Sequence, residues 1–265
     1  MPGASQVAMR HALRELGTVN GATVPIAETL LDSKALWLTP NTDTVYAVNW
    51  IDLTNGPVVI ESPPETLGIV DDMWFNYVTD LGFVGPDKGK GGKYLFLPPG
   101  YKGEVPEGYF VFRPRTFGNW YLTRGFLVDG SPKGRVESFK KHLRIYPLSQ
   151  AANPPEQKFM NLSGVPHNTI HATDYGFFEE INQLVQDEPN EAIDPETLGL
   201  LASIGIEEGQ AVRAGCADEE DPDRGGGGGQ RHGPDPHGQA PDKGDLLLPG
   251  RLLAQPPPRR RLRVP

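Results

Sequence analysis

The fold is decided by residues 45–61, which read Val-Tyr-Ala-Val-Asn-Trp-Ile-Asp-Leu-Thr-Asn-Gly-Pro-Val-Val-Ile-Glu. Two runs rich in β-branched and aromatic residues, 45–53 and 58–61, flank the turn-forming stretch 54–57. Asn-Gly within that stretch is a strong signal for a tight hairpin turn, because both residues accept a positive φ. The sequence therefore predicts two strands joined by a hairpin turn.

The same pattern makes 44–128 a strand-rich region. Further strands are predicted at 94–97, 109–113 and 120–128, and the aromatic and β-branched segment 68–81 also has strand character. Several short strands at close spacing favour an antiparallel sandwich over alternating βαβ units. The expected fold class is therefore mainly β, of the antiparallel β-sandwich type, with added α-helices.

Helices are predicted on both sides of the strand-rich region. Apolar residues between 175 and 187 repeat at helical spacing, and Asp194 followed by Pro195 is a helix cap with proline in the first turn. The predicted helices span 5–16, 26–31, 135–144, 175–187 and 195–204.

The composition divides the chain at residue 210. All 23 aromatic residues of the 265-residue chain lie before residue 211, and residues 211–265 also lack Ser, Thr, Asn, Ile and Met. Those last residues hold 10 of the 32 glycines, 9 of the 27 prolines and the single cysteine, Cys216. The net charge is −10 over residues 1–210 and +1 over the rest. We expect one folded domain over 1–210 and a disordered low-complexity tail over 211–265.

Charge and hydropathy exclude several function classes. A net charge of −9 argues against a nucleic-acid partner, and no apolar run approaches the ~20 residues that span a bilayer. The first ten residues lack the charged and apolar regions of a secretory signal, and one cysteine cannot form an internal disulfide. No dinucleotide fingerprint or nucleophile elbow is present, and no cofactor is expected. The localisation and the oligomeric state stay open.

Arg113 and Arg124 are the first candidate ligand-binding residues. Both fall among aromatic and aliphatic residues on predicted strands, where an unpaired guanidinium is costly. Either side chain can hold a carboxylate or a phosphate through two parallel hydrogen bonds. The alternative is a structural ion pair with a nearby carboxylate.

Polar residues before the first long strand are further candidates. Asn41 and Asp43 precede that strand, where a polar cluster suits the rim of a ligand site. The alternative is a tight turn, because Asn and Asp side chains bond to the backbone of turns.

Asp72 is a candidate acid or base, since it lies with Asp71 and Asp80 in an otherwise apolar segment. If 68–81 is one strand, Asp72 and Asp80 share a face, and a buried carboxyl there can have a raised pKa. The alternative, which we favour, is that the two adjacent aspartates accept backbone hydrogen bonds at a turn.

His167 and His171 have the i, i+4 spacing that binds a metal when it falls on a helix. The glutamate of the zinc-protease motif is missing and Pro166 favours a turn, so no metal site is expected, and His171 is kept as a ligand-binding candidate. The glycine- and lysine-rich loop 85–93 lacks the Gly-Lys-Ser/Thr of phosphate-binding loops, which favours a flexible hairpin loop.

Several motifs, taken in order, resemble one bacterial family. They are Thr39-Pro-Asn-Thr-Asp-Thr-Val-Tyr46, Gly56-Pro-Val-Val, Gly92-Lys-Tyr-Leu-Phe-Leu-Pro-Pro-Gly-Tyr101, Asn168-Thr-Ile-His171, Asp194-Pro195 and Leu200-Leu-Ala-Ser-Ile-Gly-Ile206. Through them, residues 1–210 resemble the domain of unknown function 1254. The resemblance implies a mainly β, sandwich-type architecture with helical additions, and it implies no established reaction.

The resemblance also implies what accompanies the domain. In that family it is usually followed by the domain of unknown function 1214, members are often exported, and this chain is expected to begin inside the family's N-terminal region. Residues 211–265 depart from this pattern, and a shifted reading frame of the same stretch permits a good helix from residue 214. We predict a frameshift near 210–214, and the alternative is a genuine disordered tail.

Two functions fit these observations. The first is the binding or processing of a small anionic molecule at a β-sandwich pocket near the strand ends. The second is a non-catalytic, envelope-associated binding or structural domain. A non-functional, frameshifted fragment is a further alternative, and whether the protein is an enzyme stays open.

Overall fold

The computed structural model of the chain describes residues 2–37 and 39–210. The expected tail and the predicted frameshift therefore lie outside the described residues. The helices are α1 (Pro2–Glu15), α2 (Lys133–His142), α3 (Gly176–Asp187) and α4 (Pro195–Ala202). The strands are β1 (Val24–Ile26), β2 (Ala35–Leu36), β3 (Thr44–Asp52), β4 (Val58–Ser62), β5 (Leu67–Asp72), β6 (Tyr77–Gly82), β7 (Gly92–Phe96), β8 (Phe110–Phe112), β9 (Gly118–Phe126), β10 (Arg144–Pro147), β11 (Phe159–Asn161) and β12 (His167–Asn168).

Two main sheets carry the fold. One has six strands in the order β11-β1-β3-β9-β5-β6, and the other has four in the order β10-β4-β7-β8. A core of buried side chains from both sheets joins them, with Val45, Ala47 and Ile51 from β3 and Ile60 and Phe96 from the second sheet. The prediction of a mainly β, sandwich-type fold with added helices is confirmed. The sheets are mixed, because β11 runs parallel to β1 and β8 runs parallel to β7.

The predicted hairpin at Asn55-Gly56 is wrong in its pairing. A tight turn is present, closed by a hydrogen bond from the Gly56 amide to the Leu53 carbonyl at 3.0 Å. The strands it joins, β3 and β4, belong to different sheets. β3 pairs with β1 and β9 and is buried on both faces, so the turn carries the chain from one layer to the other.

The predicted helix over 26–31 is absent. Val24, Pro25 and Ile26 instead form β1, which pairs with β11 on one side and meets β3 on the other. The chain then turns, and Leu30 has a positive φ of 73° that a right-handed helix does not allow. Pairing with strands distant in sequence overrides the local pattern here.

The segment 68–81 is a hairpin rather than one strand. β5 pairs with β6 in antiparallel fashion, and the reversal lies at residues 73–76, where Phe75 has a φ of 63°. Asp72 and Asp80 therefore lie on different strands.

The outer faces of the two sheets are covered differently. Tyr46, Val48 and Trp50 of β3 pack against Val7 and Leu13 of α1 on the outside of the six-stranded sheet. On the four-stranded sheet, side chains of the loop 98–109 pack over the strands instead. The helices predicted at 5–16, 135–144, 175–187 and 195–204 lie at α1 to α4, and Asp194 caps α4 by accepting from the Thr197 amide at 2.9 Å.

Candidate functional site

The two candidate arginines lie on different sheets. Arg113 directly follows β8 at the edge of the four-stranded sheet, whereas Arg124 lies in β9, inside the six-stranded sheet. The structure therefore separates them into two regions, a cleft around Arg113 and an outer sheet face around Arg124.

Three separate segments form the cleft around Arg113, which we call the arginine cleft. They are the loop after β7, the segment after β8 and the segment after α3. The cleft has a volume of about 460 Å³ and is lined by Pro98, Pro99, Gly100, Tyr101, Arg113, Pro114, Arg115, Pro189 and Glu191. The four prolines have a fixed φ, which limits how far the walls can move and leaves the cleft largely preformed.

Two exposed guanidinium groups give the arginine cleft its charge. Arg113 donates from Nη1 to the carbonyl oxygen of Tyr101 at 3.3 Å. Among the described residues, neither Arg113 nor Arg115 forms an ion pair, and Glu191 contributes a carboxylate to the wall. The sequence pointed to Arg113 but missed Arg115, although the pattern Arg-Pro-Arg was a usable signal. Residues on either side of a proline in extended backbone project to the same side.

Glu188 ties one wall of the cleft to the sheet. Its buried carboxyl accepts hydrogen bonds from the amides of Phe117, at 2.6 Å, and Gly118, at 3.0 Å. Burial raises the pKa of Glu188 to about 7, while these two hydrogen bonds and the charge of Arg10 act in the opposite direction. The end of α3 is thereby fastened to the start of β9. Sequence reasoning missed Glu188, because a glutamate after a helix carries no signal of its own.

Arg124 lies on the outer face of the six-stranded sheet. It is opposite Tyr46 of β3 and Leu67 of β5. Arg124 is half-buried, and its side chain makes no hydrogen bond or ion pair with any residue that the structure describes. The Tyr46 hydroxyl accepts from the Asn41 amide at 3.3 Å, so the structure brings Asn41 to the same end of this face.

Aromatic rings continue this face along β9. The ring of Trp120 lies 6.4 Å from that of Trp37 and 6.1 Å from that of Phe75. Phe75 is 44% exposed, and Trp37 and Trp120 are half-buried. We call Trp37, Phe75, Trp120, Leu122 and Arg124 the aromatic face.

Asn41 forms a tight turn before β3. Its side-chain oxygen accepts from the amide of Asp43 at 3.1 Å and from the hydroxyl of Thr44 at 2.9 Å. Asp43 is exposed on this turn. The geometry fits the turn alternative for both residues.

Asp72 organises the turn between β5 and β6. Its Oδ1 accepts from the amides of Trp74, at 2.8 Å, and Asn76, at 2.9 Å. These hydrogen bonds correspond to the turn role that the sequence favoured. The neighbouring Asp71 is buried opposite Trp120. Its burial and, to a smaller extent, the charges of Asp72 and Asp80 raise the pKa of Asp71 to about 6.

The two histidines do not share a helix face. His167 lies in β12, where Nε2 accepts from the Trp37 indole N–H at 2.5 Å and Nδ1 lies 2.8 Å from the Val165 carbonyl oxygen. His171 lies 2.7 Å from the Ala172 carbonyl oxygen through Nδ1. In the part of the chain that the structure describes, no group of three or more His, Cys, Asp or Glu is placed to hold a metal ion.

The loop 85–93 is organised by its own aspartate rather than around a ligand. The buried Asp87 carboxylate accepts from the amides of Gly82, at 2.8 Å, and Gly91, at 3.0 Å, and from the Tyr94 hydroxyl at 2.7 Å. This carboxylate already occupies the backbone amides, so a phosphate has no place there.

The fold and these regions define a two-sheet β-sandwich domain with added helices. The model of the family "Protein of unknown function (DUF1254)" matches residues 22–147. This match confirms, over residues 22–147, the resemblance drawn from the motifs. No helix of residues 2–37 and 39–210 has the length and apolar character to cross a membrane.

A solved structure shares this fold. The crystal structure of the VPA0106 protein from Vibrio parahaemolyticus, a structural-genomics target, is similar with a TM-score of 0.53 and 20% sequence identity over 79% of this chain. The chain covers 50% of that protein's length. At this identity the likeness concerns the fold alone. No curated protein matches the chain.

Proposed function

We propose that the domain binds a small anionic molecule in the arginine cleft. One observation carries the proposal: Arg113 and Arg115 line the same cleft, and neither forms an ion pair with a described carboxylate. Guanidinium groups hold carboxylates and phosphates through pairs of charge-assisted hydrogen bonds. A volume of about 460 Å³ falls within the range of small-molecule sites, roughly 300–1,000 Å³.

The cleft also favours a particular kind of anion. Glu191 lines the same cleft as the arginines, so a ligand with negative charge at both ends is repelled at one of them. A ligand with one carboxylate or phosphate and, at its other end, a hydroxyl or amino group complements this arrangement, because that group donates to the Glu191 carboxylate. Tyr101 and the prolines offer apolar contact to the body of such a ligand.

Calorimetric titration with small hydroxy acids, amino acids and phosphate monoesters tests the proposal, at constant ionic strength. Arg113→Gln and Arg115→Gln each remove one guanidinium, and each is expected to weaken binding by about tenfold or more, since a hydrogen bond to a charged group contributes about 1.5–3 kcal/mol. Arg14→Gln is the matched control, because it removes the same charge from an exposed pair with Asp52. Binding that survives the double variant unchanged contradicts the proposal.

A second candidate function is non-catalytic binding through the aromatic face. The observation that favours it is the contiguous set of rings at Trp37, Trp120 and Phe75, since exposed apolar patches mark interaction surfaces. The neutral dye Nile red, followed by fluorescence, is expected to bind there and to lose most of its signal in Phe75→Ser. Phe83→Ser is the control, because Phe83 is similarly exposed outside this set. An equal loss in both variants counts against the aromatic face.

A further inference from the structure

Polar atoms without partners are concentrated around α1. Gln6 and Arg10 of α1, Trp50 of β3 and Trp74 of the β5–β6 turn form what we call the α1 polar cluster. Within the described residues, ten buried side-chain nitrogen or oxygen atoms lack a hydrogen-bond partner, and six belong to these four side chains. They are both amide atoms of Gln6, Nε and Nη2 of Arg10, and the two indole nitrogens. Buried polar groups are nearly always paired in folded proteins, so this concentration needs an explanation.

The members of the α1 polar cluster lie on connected surfaces. Gln6 and Arg10 are four residues apart on α1 and therefore project from the same helix face. Trp74 packs at the start of that helix, since a β-carbon placed at Gly3 would lie 3.3 Å from its ring. The three members Gln6, Arg10 and Trp50 are 1%, 3% and 0% exposed.

The end of α3 closes the cluster on the other side. Arg10 pairs through Nη1 with the Asp187 carboxylate at 3.1 Å. A β-carbon placed at Gly118 would lie 2.8 Å from the Trp50 ring and 3.0 Å from the Glu188 carboxyl. Arg10 thus borders Asp187, and Trp50 and Glu188 both lie beside Gly118.

The chemistry of the orphaned atoms points to one class of ligand. Five of the six are N–H donors, and one, the Gln6 carbonyl oxygen, is an acceptor. The Nε–Nη2 edge of Arg10 can hold a carboxylate bidentately, and neither of its nitrogens has a hydrogen-bond partner among the described residues, whereas Nη1 pairs with Asp187. The nearby Asp187 and Glu188 carboxyls oppose a dianion such as phosphate.

We propose that the α1 polar cluster binds the carboxylate of a small organic acid, held by the Nε–Nη2 edge of Arg10 and by the Gln6 amide. This site is separate from the arginine cleft and goes beyond the function proposed for it. Because the atoms are buried, the carboxylate is enclosed when α1 packs on the sheet. Binding therefore stabilises α1 against local opening.

Thermal unfolding in acetate tests this site, with chloride at equal ionic strength as the reference. Acetate is expected to raise Tm in the wild-type protein and to slow amide hydrogen exchange in α1. Gln6→Met keeps the shape of the side chain without its polar atoms, and it should abolish the acetate-dependent shift. Gln150→Met, a change at an exposed glutamine, should leave the shift intact. Arg10→Lys loses the bidentate edge and should weaken acetate binding roughly tenfold.

The outcomes separate this site from the cleft. The double variant Arg113→Gln/Arg115→Gln is expected to keep the full acetate response of α1, whereas acetate bound only in the cleft would lose it. An acetate response in Gln6→Met equal to that of the wild-type protein overturns the proposal. A wild-type protein with no acetate response also overturns it. If the Gln6→Met variant is in that case more stable than the wild-type protein, the polar atoms of the cluster contact water or no ligand at all. If Arg10→Lys does not fold, Gln6→Met decides alone.

Discussion

The outer faces of the two sheets differ in how completely the chain covers them. On the four-stranded sheet Val59, Leu95, Leu97 and Tyr146 are all buried, and side chains of the loop 98–109 pack over them. On the six-stranded sheet α1 covers the β3 side. The β9 side keeps Leu122 and Arg124 half-buried and leaves Phe126 53% exposed.

The difference shows which segments can cover a sheet at a small cost in entropy. The loop 98–109 follows β7 directly, so it folds back over its own sheet at a small cost in loop entropy. The six-stranded sheet is covered by α1, which reaches it from the start of the chain and packs on β3 and β9 as well as on α3. The open half of that sheet is where the candidate Arg124 and the aromatic rings lie.

The largest expected effect comes from a matched pair of leucines on the two outer faces. Leu95→Ala on the covered face should destabilise the domain by about 2–5 kcal/mol, because it removes a fully buried side chain. Leu122→Ala on the open face should cost less than half as much, since Leu122 is only half-buried. Urea unfolding of both variants measures the difference. Equal losses would show that the second face is covered after all.

Glu188→Ala tests whether the six-stranded sheet depends on the hydrogen bonds between Glu188, at the end of α3, and the start of β9. The variant leaves the amides of Phe117 and Gly118 without an acceptor, and each unpaired buried group costs about 1–3 kcal/mol. Glu191→Ala, at an exposed position, is the control and should change stability by less than about 0.5 kcal/mol. Chemical denaturation compares the two, and similar values would remove Glu188 from the structural account.

Stability should fall as the pH rises from about 4 to about 7. Asp71 and Glu188 have ordinary pKa values of 3.8 and 4.5, and burial raises them to about 6 and about 7 in the folded protein. Between these values the folded protein holds protons that the unfolded chain has released. The stabilisation is complete below the unfolded pKa of each group and is lost as the pH passes through the folded pKa.

The two carboxyls can be told apart by substitution. Asp71→Asn should flatten the lower part of the pH profile of the unfolding free energy, and Glu188→Gln the upper part. A profile that keeps its full slope in both variants rules out these groups as its source.

The smallest effect is expected at Phe126. Phe126→Ser removes an exposed ring from the open face, and the free energy of unfolding should change by no more than about 0.5 kcal/mol. Self-association should fall, because a large exposed apolar side chain is lost. Sedimentation velocity measures this, with Phe83→Ser as the comparison. Unchanged association would mean that the open face does not mediate self-association in solution.

Local signals in the sequence were sufficient for turns and caps. The Asp194 cap of α4 and the side-chain bonds of Asn41 and Asp72 all arise within four residues, so a short stretch of sequence contains both partners. The pairing of strands could not be predicted where the partner strand is distant in sequence. Nothing within 45–61 tells β3 to pair with β9 rather than β4, because that choice depends on burial of both faces of β3.

The candidate site was harder to predict for the same reason. The arginine cleft is assembled from the loop 98–101, residues 113–115 and residues 189–191, which meet only in the folded chain. The chemistry of Arg113 made it a candidate from the sequence alone. The sequence could not predict that Arg124 lies on the aromatic face and not in the arginine cleft. The expected 1214 domain and the frameshift stay predictions. The coding DNA around residues 210–214 decides the frameshift, and a frame preserved through the tail in close relatives would refute it.

The five consecutive residues 187–191 make contacts in three regions of the molecule. Asp187 holds Arg10, Glu188 holds the start of β9, and Pro189 and Glu191 line the arginine cleft. A change in the length of this segment is expected to be more disruptive than any single substitution, because one inserted or deleted residue would shift all of these contacts at once. In evolutionary terms, relatives that share this architecture should keep the length of this segment fixed.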